Sequence, residues 1–545
     1  MPNENHRMKT LIRKHPKYVQ ASLILGALLL AWFNRFLQDD AFISFRYAQH
    51  LAAGHGLVYN IGERVEGYTN FLWTVCMAPA FILGVDVATW GHVVSLLAFA
   101  ITLSASAKLA CALWKSEMAG ILTILFLAMN HSFLCYATGG GLETQFGIAW
   151  IMLAVWGVCS QRYRVAAIAS ACAFMTRMDA ALLLFPFWCG PLWNAAAHRN
   201  ERGRLVYAVL LGATPVVLWM IWRYCYYGAW VPNTFLVKGH GLNLLRGLYY
   251  VSLFYLVYAL WLVFLLDWKS KWRSFTHHPA GLCMTVAVLM WTLYLIAVGG
   301  DFMEFRLMMP TFPFVAILIA GVMAENIQSE GHAQRVTGLG VLTAIVLVSQ
   351  AHGWFKISYP SVLSIDQLNR MPLLYILTDE IHSAFGNDPS DVKIGTTCAG
   401  VLPFYTQLPT LDLLGLNDRD VALKGDWIVP RGRLGCLPGH TRMATWDMVR
   451  EKGVNLLINH PWVVDPYSPV LTWDAQKILR HWYLGEWTNP EQTYMFWVRF
   501  PTSGVSAPPV IAWPLSNGYH WLTAYINPHP AVDAAILRTG ARIIR

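Results

Sequence analysis

Apolar segments separated by short polar loops fill the first 355 residues of the chain. A helix needs about 20 mostly apolar residues to cross a bilayer. Segments that approach or reach this length lie at 18–37, 89–113, 119–136, 144–160, 164–178, 180–197, 205–226, 246–266, 279–298, 307–324 and 336–355. The pattern therefore predicts a polytopic α-helical membrane protein with about 11 spans.

One further apolar segment, at 71–85, is predicted to be a re-entrant or interfacial helix. As a helix it would rise only about 22 Å, which is short of the hydrocarbon core of about 30 Å. A span there would also put GGGLE (139–143) in the cytoplasm, against the charges of the later loops. We therefore leave it out of the predicted spans.

Basic residues give the spans an orientation, because cationic loops stay in the cytoplasm. They are Arg7, Lys9, Arg13, Lys14 and Lys17 before the first span, then QRYR (161–164), HRNERGR (198–204) and DWKSKWR (267–273). A cytoplasmic N-terminus in an inner (plasma) membrane follows, with a first outer loop at 38–88. The loops at 137–143, 227–245 and 299–306 also face outward. With an odd number of spans, the C-terminus faces the periplasm.

After residue 356 the density of charges, prolines and turn residues rises, and no later segment is long enough to span. The runs KIGTTCAGVLPFY (393–405) and VNLLINH (454–460) are typical of short buried strands, and a helical patch lies at 440–452. We predict a membrane domain at 1–355 and a soluble periplasmic domain of mixed α/β structure at 356–545. We expect the second domain to shape acceptor access and not to perform chemistry.

Cys398 and Cys436 are the only cysteines of this second domain. The periplasm is oxidising, so a disulfide between them is predicted. Two unpaired buried thiols are the alternative. The polar residues Asp412, Asn417, Asp418 and His440 are candidates for contact with an acceptor, although LDLLGLND is also typical of a strand followed by a turn.

Composition agrees with a membrane protein and argues against a nucleic-acid partner. Charged residues make up 13% of the chain and hydrophobic residues 56%, with a mean hydropathy of +0.41. A soluble domain carries about 25% charged residues. The net charge of +9 is spread over short loops and serves as a topology signal, with the lipid bilayer as the partner.

Two adjacent carboxylates, Asp39 and Asp40, follow the first span directly on its outer side. Neighbouring acids repel each other, and one of them becomes a suitable general base. We predict that Asp39 and Asp40 are catalytic. A divalent cation held between them is a second interpretation, and the sequence leaves the cofactor otherwise unknown.

The remaining polar residues at the span ends suggest one shared cavity that opens outward, since ionisable groups at membrane depth pair or line a cavity. A phosphodiester leaving group needs cations, and the candidates are Arg306, Lys238 and Arg223. The candidates for contact with sugar or acceptor hydroxyl groups are Arg46, Glu66, Tyr68, Asn70, Glu143, Asn233 and Asp301. The chemistry predicted is glycosyl transfer from a polyprenyl-phosphate sugar.

Five separated motifs between about residues 35 and 310 resemble those of a known family. They are DDAFISFRYAQHLAAGHGLVYNIGERVEGYTNFLW, GGLET, TRMDAAL, RYCYYGAWVPNTFLVK and GGDFMEFR. In order and spacing they are similar to motifs of the membrane terminal arabinofuranosyltransferases of cell-wall synthesis. The family-type positions are Asp39, Asp40, Arg46, Asn60, Glu63, Arg64, Glu66, Glu143, Arg177, Asp301 and Arg306.

The resemblance implies a GT-C fold and decaprenylphosphoryl-arabinofuranose as the donor. It also implies transfer to a hydroxyl of an envelope glycan, or of a protein such as type IV pilin. Another GT-C transferase, moving mannose, galactose or aminoarabinose, is the main alternative. A transporter of lipid-linked sugar is a weaker one, because the chain shows neither internal repeats nor paired broken helices.

Overall fold

The computed structural model describes residues 15–197, 199–238, 241–266, 268–357, 359–369, 371–385, 391–428, 434, 439–484, 498–501 and 505–545. The helices before residue 356 are α1 (Pro16–Phe33), α2 (Asp39–Ala52), α3 (Phe71–Leu83), α4 (Val87–Trp114), α5 (Glu117–Met129), α6 (His131–Cys135), α7 (Thr144–Cys159), α8 (Tyr163–Thr176), α9 (Ala180–Ala197), α10 (Arg199–Tyr227), α11 (Asn233–Lys238), α12 (Leu244–Val257), α13 (Trp268–His277), α14 (Pro279–Val298), α15 (Phe312–Gln328) and α16 (His332–Phe355). Short 3₁₀ helices lie at Tyr136–Gly141, Leu260–Leu265 and Arg306–Thr311.

The polytopic helical character is confirmed. Among the described residues, six helices are long and apolar enough to cross a membrane, and one bent pair would make a seventh span. The other predicted spans form the shorter apolar helices α7, α8, α9 and α12. The number eleven stays a prediction. The segment at 71–85 forms the 13-residue helix α3, which is shorter than a crossing requires.

The predicted span at 119–136 is not one straight helix. It breaks at Asn130, and the two halves are bent by 80°. Asn130 has extended backbone angles, and its side chain accepts the backbone N–H of Phe133 at 2.9 Å, which caps α6. The chain then turns toward the start of α2, where the backbone N–H of Gln38 donates to the carbonyl of Gly140 at 3.1 Å. This bend brings the GGGLE segment beside the first outer loop.

Residues after 356 form a sheet covered by helices on both faces, which confirms the predicted mixed α/β character. The elements are α17 (Ile365–Leu368), α18 (Pro372–Phe385), β1 (Ile394–Thr396), α19 (Val401–Thr406), β2 (Thr410–Asp412), α20 (Arg419–Lys424), β3 (Asp426–Trp427), β4 (Arg442–Met443), α21 (Trp446–Glu451), β5 (Leu456–Val464), α22 (Ala475–Leu484), β6 (Val510–Pro514), β7 (His520–Tyr525), α23 (Pro530–Thr539) and β8 (Arg542–Ile544). The sheet order is β2-β1-β5-β7-β6-β8, and β3 pairs separately with β4.

Strand pairing is parallel on one side of β5 and antiparallel on the other. β1 pairs in parallel with β2 and β5, whereas β7 is antiparallel to β5 and β6. Side chains alternate between two cores, because successive residues of a strand point to opposite faces. Leu456 and Ile458 of β5 pack on the face of α18 and α23, and Leu457 packs on the face of α21 and α22.

The second domain is anchored to the first outer loop through a buried arginine. Arg46 of α2 donates from Nε to the carbonyl of Tyr59 at 2.7 Å, and from its terminal nitrogens to the carbonyls of Pro403 and Leu408. Nearby, the Tyr59 hydroxyl donates to the carbonyl of Ala399 at 2.7 Å. The guanidinium of Arg46 is therefore engaged by the backbone, which corrects the sugar or acceptor contact expected from the sequence.

The disulfide between Cys398 and Cys436 stays a prediction, since Cys436 lies outside the described residues. Cys398 follows β1, and its Sγ lies 3.5 Å from Nδ1 of His460. The boundary between the two domains at 355/356 also stays a prediction. α16 ends at Phe355, yet Val362 and Ile365 still pack into the core of the membrane domain.

We predict that Arg46→Ala weakens the attachment of the second domain, because it leaves buried carbonyl groups without a donor. A loss on the order of 3 kcal/mol is expected for hydrogen bonds from a charged group. A lower apparent unfolding temperature and faster proteolysis of residues 391–428 in the purified protein would report it. Arg64→Ala is the control, because Arg64 is an exposed residue of the same loop. Equal unfolding temperatures for both variants would contradict the anchoring role.

Candidate active site

A cavity of about 510 Å³ lies where the outward-facing polar clusters meet. The volume falls within the range of about 300–1,000 Å³ typical of small-molecule sites. The polar groups that line it include Asp40, Ser44, Tyr68, Asn70, Glu143, Arg177, Asp179, Thr234, Tyr294, Asp301 and Arg306. The single shared cavity expected from the sequence is therefore present.

Arg177 is held between two carboxylates at one wall of this cavity. Its Nε and Nη2 donate to the two carboxylate oxygens of Asp179 at 3.0 and 2.6 Å. Its Nη1 donates to Oε1 of Glu143 at 3.0 Å. Asn70 in turn donates to Oε2 of Glu143 at 2.9 Å and exchanges hydrogen bonds with Ser44. The five groups form one fixed network in which the charge of Arg177 is balanced.

Arg306 follows the turn at 299–305 and faces the same cavity. Its Nε donates to Oδ2 of Asp301 at 2.8 Å, and Oδ1 of Asp301 accepts the backbone N–H of Phe302 at 2.8 Å. Phe305, directly before Arg306, has a φ of 46°, a region that a bulky side chain rarely adopts. The hydrogen bonds among described residues engage only Nε of Arg306. Its terminal nitrogens are thus the guanidinium donors best placed to meet an anion in the cavity.

The two adjacent acids at the start of α2 have different surroundings. Asp40 lines the cavity. Asp39 is turned toward the second domain, where Oδ1 accepts the N–H of Val401 at 2.7 Å and Oδ2 accepts that of Gly400 at 3.2 Å. A Cβ on Gly400 would lie 1.8 Å from the backbone oxygen of Asp39, so only glycine fits there. Asp39 therefore contacts the residues at the start of α19, and its catalytic role stays a prediction.

A divalent cation between these acids does not fit the arrangement. Both carboxylate oxygens of Asp39 already accept backbone N–H groups. Within the described ranges, no cluster of three or more His, Cys, Asp or Glu side chains is suited to a metal ion. Oxygen-ligated cations usually take several such ligands.

Burial governs the protonation of Asp39. It raises the pKa of Asp39 from an ordinary value of 3.8 to about 7, with the nearby Asp40 charge acting in the same direction. The two backbone N–H donors act in the opposite direction, because they favour the charged form. Asp39 therefore titrates close to neutral pH while it contacts α19.

Several predicted binding residues instead hold the walls of the cavity together. Arg223 donates from Nε to Oε2 of Glu66 at 2.6 Å, and both side chains are buried. Burial raises the pKa of Glu66 to about 7, although Arg223 opposes this rise. Asn233 donates to the carbonyls of Gly415 and Leu416 at 2.7 and 3.1 Å. Arg223, Glu66 and Asn233 are therefore corrected from ligand contacts to wall contacts.

Tyr68, Lys238 and Asp412 were also predicted to contact ligands, and they lie in three different surroundings. Tyr68 lines the cavity and shares a hydrogen bond of 3.0 Å with the hydroxyl of Tyr227. Lys238 ends α11, and its side chain lies outside the described part of the chain. Among the C-terminal candidates, Asp412 accepts the N–H groups of Leu414 and Asn417, as expected of a turn.

Several cavity residues were absent from the predicted site, among them Arg177, Thr234 and Leu416. Arg177 had a sequence signal, since it lies within the family-like TRMDAAL motif. Thr234 and Leu416 had none that would separate them from other loop residues. Leu416 comes from the second domain and reaches the cavity because Asn233 holds its backbone.

Comparison with known proteins agrees with this arrangement. The chain is similar to two proteins named terminal β-(1→2)-arabinofuranosyltransferase. The one from Corynebacterium glutamicum is 25% identical over 401 residues, covering 63% of this chain and 56% of the relative. The one from Mycobacterium tuberculosis is 27% identical over 361 residues, covering 58% and 57%. The chain thus matches little more than half the length of either relative, and the resemblance expected from the five motifs is confirmed.

The fold also has a counterpart among solved structures. The crystal structure of ArnT from Cupriavidus metallidurans bound to undecaprenyl phosphate aligns with 72% of this chain and 85% of ArnT, with 13% identity and a TM-score of 0.50. The chain therefore has the GT-C fold that was predicted. A family model described as a domain of unknown function (DUF8728) matches residues 374–502, within the second domain.

We predict that the contribution of Asp39 to the stability of the protein falls as pH rises from about 4 to about 7. Asp39 has a folded pKa of about 7 against an ordinary 3.8, so the folded state binds the proton more tightly across this window. Burial also raises the pKa of Glu66 to about 7 and that of Asp412 to about 6, so both groups change stability in the same direction as pH rises. Asp39→Asn should remove the contribution of Asp39 to this pH dependence. For a pKa that rises by about three, that contribution is at most roughly 4 kcal/mol of unfolding free energy.

The measurement is the apparent unfolding temperature of purified protein as a function of pH. Asp474→Asn is the control, because Asp474 is an exposed aspartate of the second domain. The control should keep the wild-type dependence on pH, and Asp39→Asn should gain stability relative to the wild type as pH rises from about 4 to about 7. A variant with an unchanged slope would show that Asp39 is not protonated in the folded state.

Proposed function

We propose that this protein is a glycosyltransferase that moves D-arabinofuranose from a polyprenyl-phosphate donor to a hydroxyl group of an envelope glycan or of a protein such as pilin. The observation that carries the proposal is the position of Asp40 and Arg306 in one cavity. A carboxylate and an open guanidinium are the two groups that this transfer needs. The names of the similar enzymes support arabinofuranose as the sugar.

In the proposed reaction Asp40 is the general base. It takes the proton of the acceptor hydroxyl while that oxygen attacks the anomeric carbon of the donor. A new C–O bond forms, and the bond between the anomeric carbon and the phosphate oxygen breaks. The polyprenyl phosphate leaves with the electron pair of that bond, so atoms and charge balance. General base catalysis of this kind contributes roughly 10²–10⁴ in rate.

Arg306 is assigned to the leaving phosphate. Negative charge grows on the phosphate as the glycosidic bond breaks, and a fixed cation stabilises that charge. Asp301 holds Nε of Arg306 and leaves the terminal nitrogens toward the cavity. Arg177 is less suited, because Asp179 and Glu143 engage three of its nitrogen atoms. Glu143, Asn70 and Asp179 are placed to hydrogen-bond the hydroxyl groups of the donor sugar.

The site is assigned to the periplasmic side of the inner membrane. The basic loops that predict this orientation lie at the opposite ends of the helices from the cavity residues. A lipid-anchored donor can reach such a cavity from the bilayer, and the acceptor from the envelope.

The proposal is tested by supplying purified full-length protein with polyprenyl-phosphate arabinofuranose, mannose, galactose and aminoarabinose in parallel. We expect turnover with arabinofuranose to exceed turnover with each other sugar, because two similar proteins are named arabinofuranosyltransferases. Release of polyprenyl phosphate and mass analysis of the acceptor are the readouts. Preferential transfer of another sugar would overturn the donor assignment, and turnover of none would overturn the transferase itself.

In the same assay, Asp40→Asn should lower kcat by roughly 10²–10⁴, because the amide cannot accept the proton. Asp39→Asn is the matched control, since it changes the adjacent residue in the same way. The asparagine amide of this variant can still accept a backbone N–H, and the wild-type Asp39 carboxylate does not line the cavity. We therefore expect kcat to fall by less than about tenfold. A larger fall of kcat in Asp39→Asn than in Asp40→Asn would instead support Asp39 as the general base.

A further inference from the structure

Glu304 is a buried acid that has no role in the reaction as derived above. It belongs to the turn at 299–305, two residues before Arg306, and it is 2% exposed. Asp301 and Arg306 line the cavity, whereas the carboxylate of Glu304 lies beside Ser132 and His352. A buried carboxylate is costly unless hydrogen bonds or an opposite charge compensate it. Its partners therefore show which parts of the chain it joins.

Three donors from three separate segments converge on this carboxylate. Ser132 of α6 donates from Oγ to Oε1 at 2.6 Å, and Nε2 of His352, near the end of α16, lies 3.0 Å from the same oxygen. The backbone N–H of Ile365, at the start of α17, donates to Oε2 at 2.9 Å. Because a carboxylate only accepts hydrogen bonds, all three groups donate to Glu304. One side chain thus ties the turn to three other segments.

The donors to Glu304 are themselves held by two tyrosines. The hydroxyl of Tyr258 is hydrogen-bonded to Oγ of Ser132, and that of Tyr359 lies 3.1 Å from Nδ1 of His352. The rings of Tyr258 and Tyr359 also pack against Phe305, with centroids 5.8 and 6.2 Å away. The hydrogen-bonded network and the ring of Phe305 therefore form one packed unit beside the turn.

The backbone that leads to Arg306 is held in a conformation that it would not adopt alone. Phe305 has a φ of 46°, and a bulky residue keeps such a conformation only where its surroundings determine it. On one side, the N–H of Glu304 donates to the carbonyl of Leu363 at 3.0 Å, and the N–H of Leu363 donates to that of Phe302 at 2.7 Å. The course of the chain into Arg306 is therefore set by Glu304 and its neighbours.

We propose that Glu304 is a positioning residue for Arg306. Its carboxylate fixes the turn, so that the terminal nitrogens of Arg306 face the departing phosphate while Asp301 holds Nε. Without this anchor, the backbone at Phe305 relaxes toward ordinary angles and the guanidinium shifts relative to the phosphate. This inference rests on the proposed function and adds to it a residue that acts outside the cavity.

The first test is Glu304→Gln, which keeps the size of the side chain but replaces one acceptor oxygen by an NH₂ group. It is assayed in purified full-length protein with polyprenyl-phosphate arabinofuranose, under the conditions of highest wild-type turnover. We expect kcat to fall roughly 10- to 100-fold, as for a misplacement of about 1 Å. Inhibition by added polyprenyl phosphate should weaken too, because Arg306 contacts that phosphate in the proposed reaction.

The decisive comparison repeats Glu304→Gln in an Arg306→Ala background. If Glu304 acts through Arg306, the double variant should turn over as fast as Arg306→Ala alone, because no guanidinium remains to be misplaced. Glu66→Gln is the contrasting control, since it breaks a buried pair with Arg223 and should lower turnover by the same factor in both backgrounds. Glu330→Gln changes an exposed acid after α15 and should leave turnover unchanged.

A milder variant covers the case in which Glu304→Gln does not fold. Tyr359→Phe removes only the hydroxyl beside His352, and Tyr359 is half-buried. It should lower kcat roughly two- to tenfold, the range for one hydrogen bond, with no further fall in the Arg306→Ala background. If Glu304→Gln yields no folded protein, Tyr359→Phe decides alone.

Two results would overturn the positioning role and leave the transferase function standing. One is wild-type turnover in the folded variants of this network. The other is the same fold loss with and without Arg306, which would show that Glu304 only stabilises the fold. Absence of donor turnover by the wild type would instead overturn the transferase function itself.

Discussion

The arrangement of this cavity depends on the cost of placing charge at the edge of a membrane. An unpaired ion in a medium of low polarity is expensive, so buried ions are paired or neutral. Arg223 is paired with Glu66, Arg306 with Asp301, and Arg177 with Glu143 and Asp179. Each pair joins two segments that are distant in the sequence or fixes a turn. The requirement to pair these charges therefore also positions the helices around the cavity.

The same requirement decides which groups remain for chemistry. The lining residues that the structure describes carry four carboxylates and two guanidinium groups. Under the proposed function, the phosphate of the donor would lie beside Arg306, because the carboxylates of the cavity repel it and Asp301 engages only Nε of Arg306.

The sequence predicts some side-chain positions of this site better than others, because some are set by nearby residues and others by contacts with residues far along the chain. Glu143, Asp301 and Arg306 were predicted correctly as cavity residues, because they lie at span ends and the alternation of spans puts those ends on one side. Asp39 and Asp40 could not be separated, since the difference between them is one helical step and contact with Gly400 and Val401, some 360 residues later. Arg46 was misassigned for the same reason, because its partners are the carbonyls of Pro403 and Leu408. The bend at Asn130 did have a local signal: the polar run of Asn130, His131 and Ser132 interrupts an apolar segment.

The second domain completes the cavity without adding a charged group to its described lining. Its one lining residue is Leu416, and all other lining residues come from positions before 308. An apolar wall excludes water from the reacting atoms, and exclusion of water strengthens every electrostatic contact inside. The buried contacts of Arg46, Asp39 and Asn233 hold that wall against the membrane domain. These hydrogen bonds fix Leu416 at the cavity although it lies more than 100 residues after the other lining positions, so the second domain contributes to the shape of the site without supplying a charge to its described lining.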